Sequence, residues 1–321
     1  MRTTKRKSRT PYVTRALVMA AGLGTRLYPI SKAVPKAFVP VCGIPAIQFS
    51  IDHLRDSGIR EIVINVHHHG ARVLKLIKKL DTRGLKVHVS DERKELLGSA
   101  GGIRKGYEFF RGHPFLVVNA DVLSTVDLRK LINEHKRNAA RSHAWMTMSV
   151  HPRGFQGQRY AEAEFDRRTR RLKRMVTRRE QRPFYLGTGV YEPASVARVK
   201  LGTVADYKDL ILKPALRAQR AFVLPDGGFW MDLGTPELWA RAHRELLERL
   251  EKRTLPLSWI RRLKKSNRKI MRGRWVLRGA QCDPKAFAKS ELRYFGGKRW
   301  DKLAVSESRV CHVYYDPVIR F

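Results

Sequence analysis

Cysteine is scarce in this chain. It occurs only at Cys42, Cys282 and Cys311, which lie far apart and form no C-x-x-C pair. Three dispersed cysteines predict neither a disulfide framework nor a cysteine-based zinc site, and they suit a reducing compartment. We therefore expect a cytoplasmic protein that is held together by its core rather than by cross-links.

Long apolar runs are also missing. No run approaches the ~20 residues that a membrane-spanning helix needs. Residues 1–14 are basic and lack the apolar segment of a signal peptide. We interpret residues 1–14 as a solvated basic arm, and we expect no transmembrane segment.

Acidic residues are few, because 29 Asp and Glu stand against 66 Lys and Arg, which gives a net charge of +37. This excess attracts anions, so nucleotides, nucleic acid and acidic membranes all remain open as partners. A host proteome of basic proteins would explain much of the surface charge equally well. The hydrophobic content of 43% supplies a real core, which excludes a disordered chain.

The chain is organised around the stretch LVMAAGLGTRL at residues 17–27. An apolar run that ends in glycines is typical of a buried parallel strand opening into a phosphate-binding loop. Glycines let the backbone N–H groups approach a polyphosphate. The loop residues predicted to bind the nucleotide are Ala20, Ala21, Gly22, Gly24 and Thr25. Arg26 and Lys36 add a forked cation and a point charge, so both are candidate catalytic residues.

Two carboxylates follow apolar runs farther along the chain. Asp121 ends the stretch PFLVVNAD at residues 114–121, and Asp232 lies within FWMDLGTPE at residues 229–237. Because the carboxyl ends of strands line the ligand crevice of open α/β sheets, we expect both side chains in that crevice. Mg²⁺ needs few protein ligands, so the pair predicts a magnesium site. An alternative for Asp232 is to cap the helix predicted from about Pro236 to Lys252.

Four segments, taken in chain order, resemble the signature of sugar-1-phosphate nucleotidyltransferases. They are the glycine loop, the Pro35-Lys36 pair, the residues Asn119-Ala120-Asp121 at the end of an apolar run, and WMDLGTPE at residues 230–237. The resemblance covers roughly residues 16–247. It is closest to mannose-1-phosphate guanylyltransferase-like and N-acetylmuramic acid 1-phosphate uridylyltransferase-like members. It implies Mg²⁺-dependent transfer from an NTP to a sugar 1-phosphate, with release of pyrophosphate, for cell-envelope or polysaccharide precursors.

The same resemblance assigns two further stretches. ELLGSAGGI at residues 95–103 resembles the segment that recognises the nucleobase, which implies nucleotide-binding roles for Gly98 and Ser99. YLGTGVY at residues 185–191 resembles the strand beside the sugar, which implies sugar-phosphate binding by Gly187, Thr188 and Gly189. A glycine-rich helix start and a plain core strand are the respective alternatives. Where many relatives carry a Glu-Lys pair, this chain has Thr177-Arg178, so the match fails at the carboxylate and the resemblance does not imply the usual contact to a sugar hydroxyl.

The predicted fold is α/β: a Rossmann-like, mixed but mostly parallel sheet flanked by helices, as in the nucleotidyltransferase fold. Alternating strands and helices over the first half of the chain predict this arrangement. We place the catalytic domain at residues 15–252 and a small basic extension at 253–321. A six-residue rhythm there resembles a degenerate left-handed β-helix, which favours self-association into a homo-oligomer.

Other functions fit parts of the pattern. A phosphocholine cytidylyltransferase-like enzyme shares similar motifs at the front of the chain. A non-catalytic regulatory paralogue would keep the fold, but such paralogues tend to lose the charged residues that are all present here. A basic nucleic-acid-binding or membrane-contacting protein is supported by charge alone.

Overall fold

The computed structural model describes residues 12–28, 30–67, 70–153, 160–176 and 183–266, together with the backbone of six short strands farther along the chain. The strands of the main body are β1 (Arg15–Met19), β2 (Pro40–Val41), β3 (Ile44–Pro45), β4 (Glu61–Val66), β5 (Lys86–Asp91), β6 (Phe115–Asn119), β7 (Val122–Ser124), β8 (Met146–His151), β9 (Glu162–Phe165), β10 (Leu172–Val176), β11 (Phe184–Tyr191), β12 (Ala221–Pro225) and β13 (Trp230–Asp232). The α-helices are α1 (Ile30–Ala33), α2 (Ala46–Asp56), α3 (Gly70–Ile77), α4 (Gly98–Tyr107), α5 (Leu128–Ser142), α6 (Pro193–Val196), α7 (Lys213–Arg217), α8 (Pro236–Glu251) and α9 (Leu257–Ser266).

A mixed sheet of nine strands forms the centre of the described body. Its parallel part runs β6-β1-β4-β5, with Leu17 of β1 beside Val63 of β4 and Val117 of β6. On the other side of β6, β11 pairs antiparallel with β6 and with β8, and β12 then pairs parallel with β8. The β9–β10 hairpin joins β11 at the edge. The predicted mixed, mostly parallel α/β fold is confirmed.

The core lies on both faces of this sheet. Successive β1 residues point to opposite faces, so Val18 packs in one apolar cluster and Leu17 in the other, and both side chains are 0% exposed. Because both faces are covered, β1 reads as a continuous apolar run rather than an alternating one. A separate two-stranded ribbon, β7 with β13, brings the segment after β6 next to the segment before α8.

The packed body extends slightly beyond the predicted limits at both ends. Val13 is 1% exposed, and the Tyr12 hydroxyl donates to Glu192, so residues 12–14 lie on the body rather than in an arm. Residues 1–11 of the predicted arm lie outside the described part. At the other end, α9 packs on α2: Trp259 and Leu263 are 0% exposed. The described residues contain no helix that is both long enough and apolar enough to cross a membrane.

Beyond Ser266, the structure describes only short strands. Lys269–Met271, Arg274–Leu277 and Ala280–Cys282 pair with one another in antiparallel fashion. Stacked coils of a β-helix pair their strands in parallel, so these pairs do not support the predicted β-helix. Four of the nine residues in the six-residue rhythm, Ala286, Ala288, Tyr294 and Val310, lie outside the described part, and the β-helical extension stays a prediction.

Candidate active site

The phosphate loop, residues 20–24, begins where β1 ends. Its first two N–H groups, those of Ala20 and Ala21, donate to the Asn65 side-chain oxygen at 2.6 and 3.3 Å. Gly24 has a φ of +70°, and a Cβ there would lie 3.0 Å from Cβ of Lys36, so both the turn and the close approach require glycine. The Ser31 hydroxyl donates to the Gly24 carbonyl at 2.6 Å, which fixes the far end of the loop.

Lys36 connects this loop to the first carboxylate. Its ammonium group donates to the Asp121 carboxylate, and the two side chains are 11% and 25% exposed. Lys36 opens a short turn (Lys36–Phe38), whereas Asp121 follows β6, so the fold joins residues 85 positions apart. The structure therefore brings together one predicted catalytic cation and one predicted metal ligand.

Asp232 lies beside Asp121 because β7 and β13 pair. Asp232 stands opposite Val122, and the Leu233 N–H donates to the Asp121 carbonyl at 3.0 Å. Burial raises the pKa of Asp232, and the negative charge of Asp121 raises it further, while Lys36 and Arg26 oppose both effects. The two carboxylates thus lie together at adjoining strand ends, with the cations Lys36 and Arg26 close enough to affect Asp232.

Arg26 reaches the same place from the loop. A Cβ at Gly234 would lie 3.1 Å from Nη2 of Arg26 and 2.8 Å from an Asp232 oxygen, so only glycine leaves room for this approach. The Tyr160 hydroxyl donates to Asp232 at 3.3 Å, and its ring packs edge-on against Trp230. Arg26 itself is exposed, which leaves its guanidinium accessible to a ligand.

The alternative role for Asp232, capping α8, does not occur. The N-cap is Thr235, whose hydroxyl accepts from the Leu238 N–H at 3.3 Å, with Pro236 in the first turn. This is the usual chemistry of a helix start. Asp232 lies three residues earlier, at the end of β13, and its carboxylate is free of that role.

The base segment, residues 97–99, lies at the start of α4 and packs against residues 203–207. A Cβ at Gly98 would lie 2.5 Å from the Ala205 carbonyl oxygen, and Gly98 has a φ of +69°. The Ser99 hydroxyl donates to Asp206 at 3.1 Å and accepts from the Tyr207 N–H at 2.7 Å. The hydroxyl of Ser99 therefore holds this segment in place, and nucleotide contacts of Gly98 and Ser99 stay a prediction.

The three predicted sugar-phosphate residues are buried in β11. Gly187 has a φ of +76°, and a Cβ there would lie 2.8 Å from the side-chain nitrogen of Asn119. Thr188 is 4% exposed and its carbonyl accepts from the Ser149 hydroxyl at 3.0 Å. Gly189 is buried beside Tyr191. Gly187 thus contacts Asn119, two residues before Asp121, whereas sugar contacts of Thr188 and Gly189 stay a prediction.

Sequence reasoning missed Tyr160, Asn65 and Glu92. Asn65 is the penultimate residue of β4 and Glu92 directly follows β5, so the strand-end rule that found Asp121 would also have singled them out. Tyr160 gave no such signal, because only the fold brings it to Asp232. His67, the described member of a His triplet, contacts the Glu92 carbonyl at 2.7 Å, and no group of three or more metal-binding side chains occurs among the described residues.

The residues present suit a divalent cation that is shared with a substrate. Asp121 and Asp232 offer carboxylate oxygens, the donors that Mg²⁺ prefers, and the cation completes its shell with water and phosphate. Burial and the negative charge of Asp121 both raise the pKa of Asp232, and a cation bound between the two carboxylates would oppose that rise.

Comparison with known proteins gives a consistent picture. The sequence model of the family described as nucleotidyl transferase matches residues 15–249. The chain is 28% identical over 251 residues to mannose-1-phosphate guanylyltransferase 1 of Arabidopsis thaliana, covering 75% of this chain and 66% of that protein. It is 27% identical to mannose-1-phosphate guanyltransferase beta-B of Xenopus laevis, covering 70% of this chain and 62% of that protein. The chain thus spans slightly less than two thirds of the length of these relatives.

Solved structures resemble the fold. HddC from Yersinia pseudotuberculosis superposes with a TM-score of 0.61 at 20% identity, covering 73% of this chain and 99% of that chain. A putative glucose-1-phosphate thymidylyltransferase from Bacillus anthracis gives a TM-score of 0.62 at 18% identity, covering 71% of this chain and 93% of that one. At these identities, the likeness concerns the fold alone.

Proposed function

Because this chain belongs to the nucleotidyl transferase family, we propose that it transfers a nucleotidyl group from an NTP to a sugar 1-phosphate. The products are a nucleoside diphosphate sugar and pyrophosphate. The names of the relatives support this substrate class, as mannose-1-phosphate guanylyltransferases. One observation carries the proposal: Arg26, Lys36, Asp121 and Asp232 converge where the phosphate loop meets the β7–β13 ribbon.

The chemistry asks mainly for positioning and charge neutralisation. A phosphate oxygen of the sugar 1-phosphate is already anionic, so it needs no general base. It forms a bond to the α-phosphorus, while the bond from that phosphorus to the bridging oxygen of pyrophosphate breaks. Arg26 neutralises the leaving pyrophosphate, with the loop N–H groups around Gly24 and Thr25. Lys36 moves from Asp121 to the phosphates and offsets the repulsion between them.

We further propose that Asp121 and Asp232 hold Mg²⁺. The cation would supply additional neutralisation of phosphate charge at the carboxylate end of the site. Titration with EDTA followed by Mg²⁺ or Ca²⁺ tests this assignment. Activity that persists in excess EDTA would contradict it.

A pyrophosphate-release screen of four NTPs against several sugar 1-phosphates tests the function. We expect one pair to be used best, and Asp232→Asn to abolish its turnover. Asp209→Asn is the matched control, because Asp209 lies exposed on the surface in a pair with Lys213. If wild type releases no pyrophosphate with any pair, or if Asp232→Asn keeps full activity, the proposal fails.

Three further points extend the proposal. The protein is expected in the cytoplasm, as a homo-oligomer, supplying precursors for envelope or polysaccharide. Fractionation of cells and sizing in solution test the first two. Choline phosphate, added to the screen with CTP, tests the cytidylyltransferase alternative.

A further inference from the structure

We propose that Asn65 and Glu92 form a hydrogen-bonded pair, called the relay below, that fixes the position of the phosphate loop relative to the base segment. The relay rests on the proposed function, because both parts it joins would hold the nucleotide. Neither residue contacts the substrates; each acts through the backbone it binds.

The amide of Asn65 holds the phosphate loop. Its Oδ1 accepts from the N–H groups of Ala20 and Ala21, while its Nδ2 donates to Oε1 of Glu92 at 2.8 Å. An amide is the one side-chain group of this size that accepts on one side and donates on the other. Its orientation is therefore fixed by its two partners.

The carboxylate of Glu92 holds the base segment. Its Oε2 accepts from the Leu97 N–H at 3.4 Å, one residue before Gly98. The chain of hydrogen bonds thus runs from the phosphate loop through Asn65 and Glu92 to the base segment.

Both side chains are buried, at 1% exposure each. A Cβ on Gly102 of α4 would lie 3.0 Å from Nδ2 of Asn65 and from Oε1 of Glu92, so the helix closes directly over the pair. Burial raises the pKa of Glu92, and the hydrogen bonds from Asn65 and Leu97 oppose that rise. A carboxylate is costly in such a place unless its hydrogen bonds are made.

The sheet does not need this pair for its own pairing. Strands β1, β4 and β5 are joined in register through their backbones, with Asn65 between Met19 and Ser90. The relay instead binds N–H groups that lie after β1 ends and before α4 begins. Its action therefore falls on the two loops that the proposed function assigns to the nucleotide.

Exchanging the two groups gives a sharp test. In Asn65→Asp, the new carboxylate faces the carboxylate of Glu92, so two acceptors meet. In Glu92→Gln, the new side-chain nitrogen faces either the Leu97 N–H or Nδ2 of Asn65, so two donors meet. The double variant carries both substitutions. There the new carboxylate accepts from the loop and from the new amide nitrogen, while the new amide oxygen accepts from the Leu97 N–H. Every bond is thus restored, with the central one reversed, and the net charge is unchanged.

We expect each single variant to raise the KM of the best NTP about tenfold or more, since each leaves a buried polar group without a hydrogen-bond partner. The KM of the sugar phosphate and kcat should change less than about threefold. The double variant should return the NTP KM to within about threefold of wild type. Equal effects on both substrates, an unchanged NTP KM in the single variants, or no rescue would overturn the proposal.

The chain offers a matched control in α2. Gln48 Nε2 donates to Oδ1 of Asp52 at 3.1 Å, and the two side chains are 3% and 0% exposed. Gln48→Glu also sets two buried carboxylates against each other, here beside Arg55 and Arg262, and it removes the donor to the Asp81 carbonyl. Its unfolding midpoint should therefore fall without a selective rise in the NTP KM. Direct calorimetric binding of ATP, GTP, UTP, CTP and dTTP separates the two hypotheses. Wild type that binds none of them refutes the function. Wild type that turns over, with single variants that are unaffected, refutes only the relay.

Discussion

Trp259 on α9 allows a stringent test of where the catalytic body ends. The sequence-based boundary after residue 252 leaves α9 outside the body, whereas the structure packs it on α2. Trp259 is 0% exposed, its ring lies 4.8 Å from that of Phe49, and its Nε1 donates to the Phe49 carbonyl at 3.1 Å. We therefore propose that the body extends to Ser266, and that Trp259→Ala destabilises all of it.

The magnitude follows from these contacts. Truncating a fully buried tryptophan to alanine costs about 3–5 kcal/mol, including the cavity left behind. Loss of the hydrogen bond from Trp259 Nε1 to the Phe49 carbonyl, which keeps its bond within α2, adds about 1 kcal/mol at most. The sum is a large part of the roughly 5–15 kcal/mol by which a domain of this kind is stable.

Urea unfolding followed by circular dichroism measures this effect. Leu257→Ala on the same helix is the control, since Leu257 is 69% exposed and should change stability by less than about 0.5 kcal/mol. If Trp259→Ala costs no more than Leu257→Ala, α9 does not belong to the body. We expect truncation after Ser266 to leave a stable protein and truncation after Glu251 to destabilise it. A stable protein after truncation at Glu251 would also place α9 outside the body.

Three other predictions follow from single sites. Lys36→Ala should lower kcat/KM by about 30- to 1000-fold, or roughly 2–4 kcal/mol of transition-state stabilisation. Unchanged kinetics would remove Lys36 from the mechanism. Gly101→Ala should lower the free energy of unfolding by about 1–3 kcal/mol, because a Cβ there would lie 2.1 Å from the Thr203 carbonyl oxygen. Gly227→Ala is the control and should be nearly neutral, since the nearest atom to a Cβ there lies 3.8 Å away. Burial lowers the pKa of His243 to about 4, so the unfolded chain binds the proton at a higher pH than the folded chain does. The free energy of unfolding should therefore fall by up to about 3 kcal/mol as pH drops from about 6.5 to about 4. His243→Gln should lose less stability over this range, and an equal loss would refute this cause.

Local patterns predicted much of the fold and the core of the site. Apolar runs ending in glycine or aspartate placed β1, β6 and β13, and the rule that ligands meet strand ends brought Asp121 and Asp232 together. These signals are local in sequence, and the pairing of the strands then brings the distant segments to one site. The helix predicted from about Pro236 to Lys252 is found at Pro236–Glu251, within one residue of the prediction.

What sequence reasoning missed depends on contacts between distant segments. Tyr160 meets Asp232 across 72 positions, and nothing near Tyr160 in sequence shows this. The sequence-based boundary after residue 252 assigned α9 to the basic extension. The i, i+4 spacing of Trp259 and Leu263 was the better guide, because a few buried apolar side chains dock a helix whatever the charge of its other faces.

The ion pair between Lys36 and Asp121 implies that the site is a place of counter-ion exchange. Without substrates, the ammonium group serves as the resident counter-ion of the carboxylate, so the resting protein does not carry the full repulsion of two acidic groups. In the reaction that we propose, the ammonium changes anion when phosphates arrive and returns to Asp121 when products leave. The cost of binding and the ease of release are thereby coupled through one flexible side chain, and chelation of metal should leave the fold of the resting protein intact.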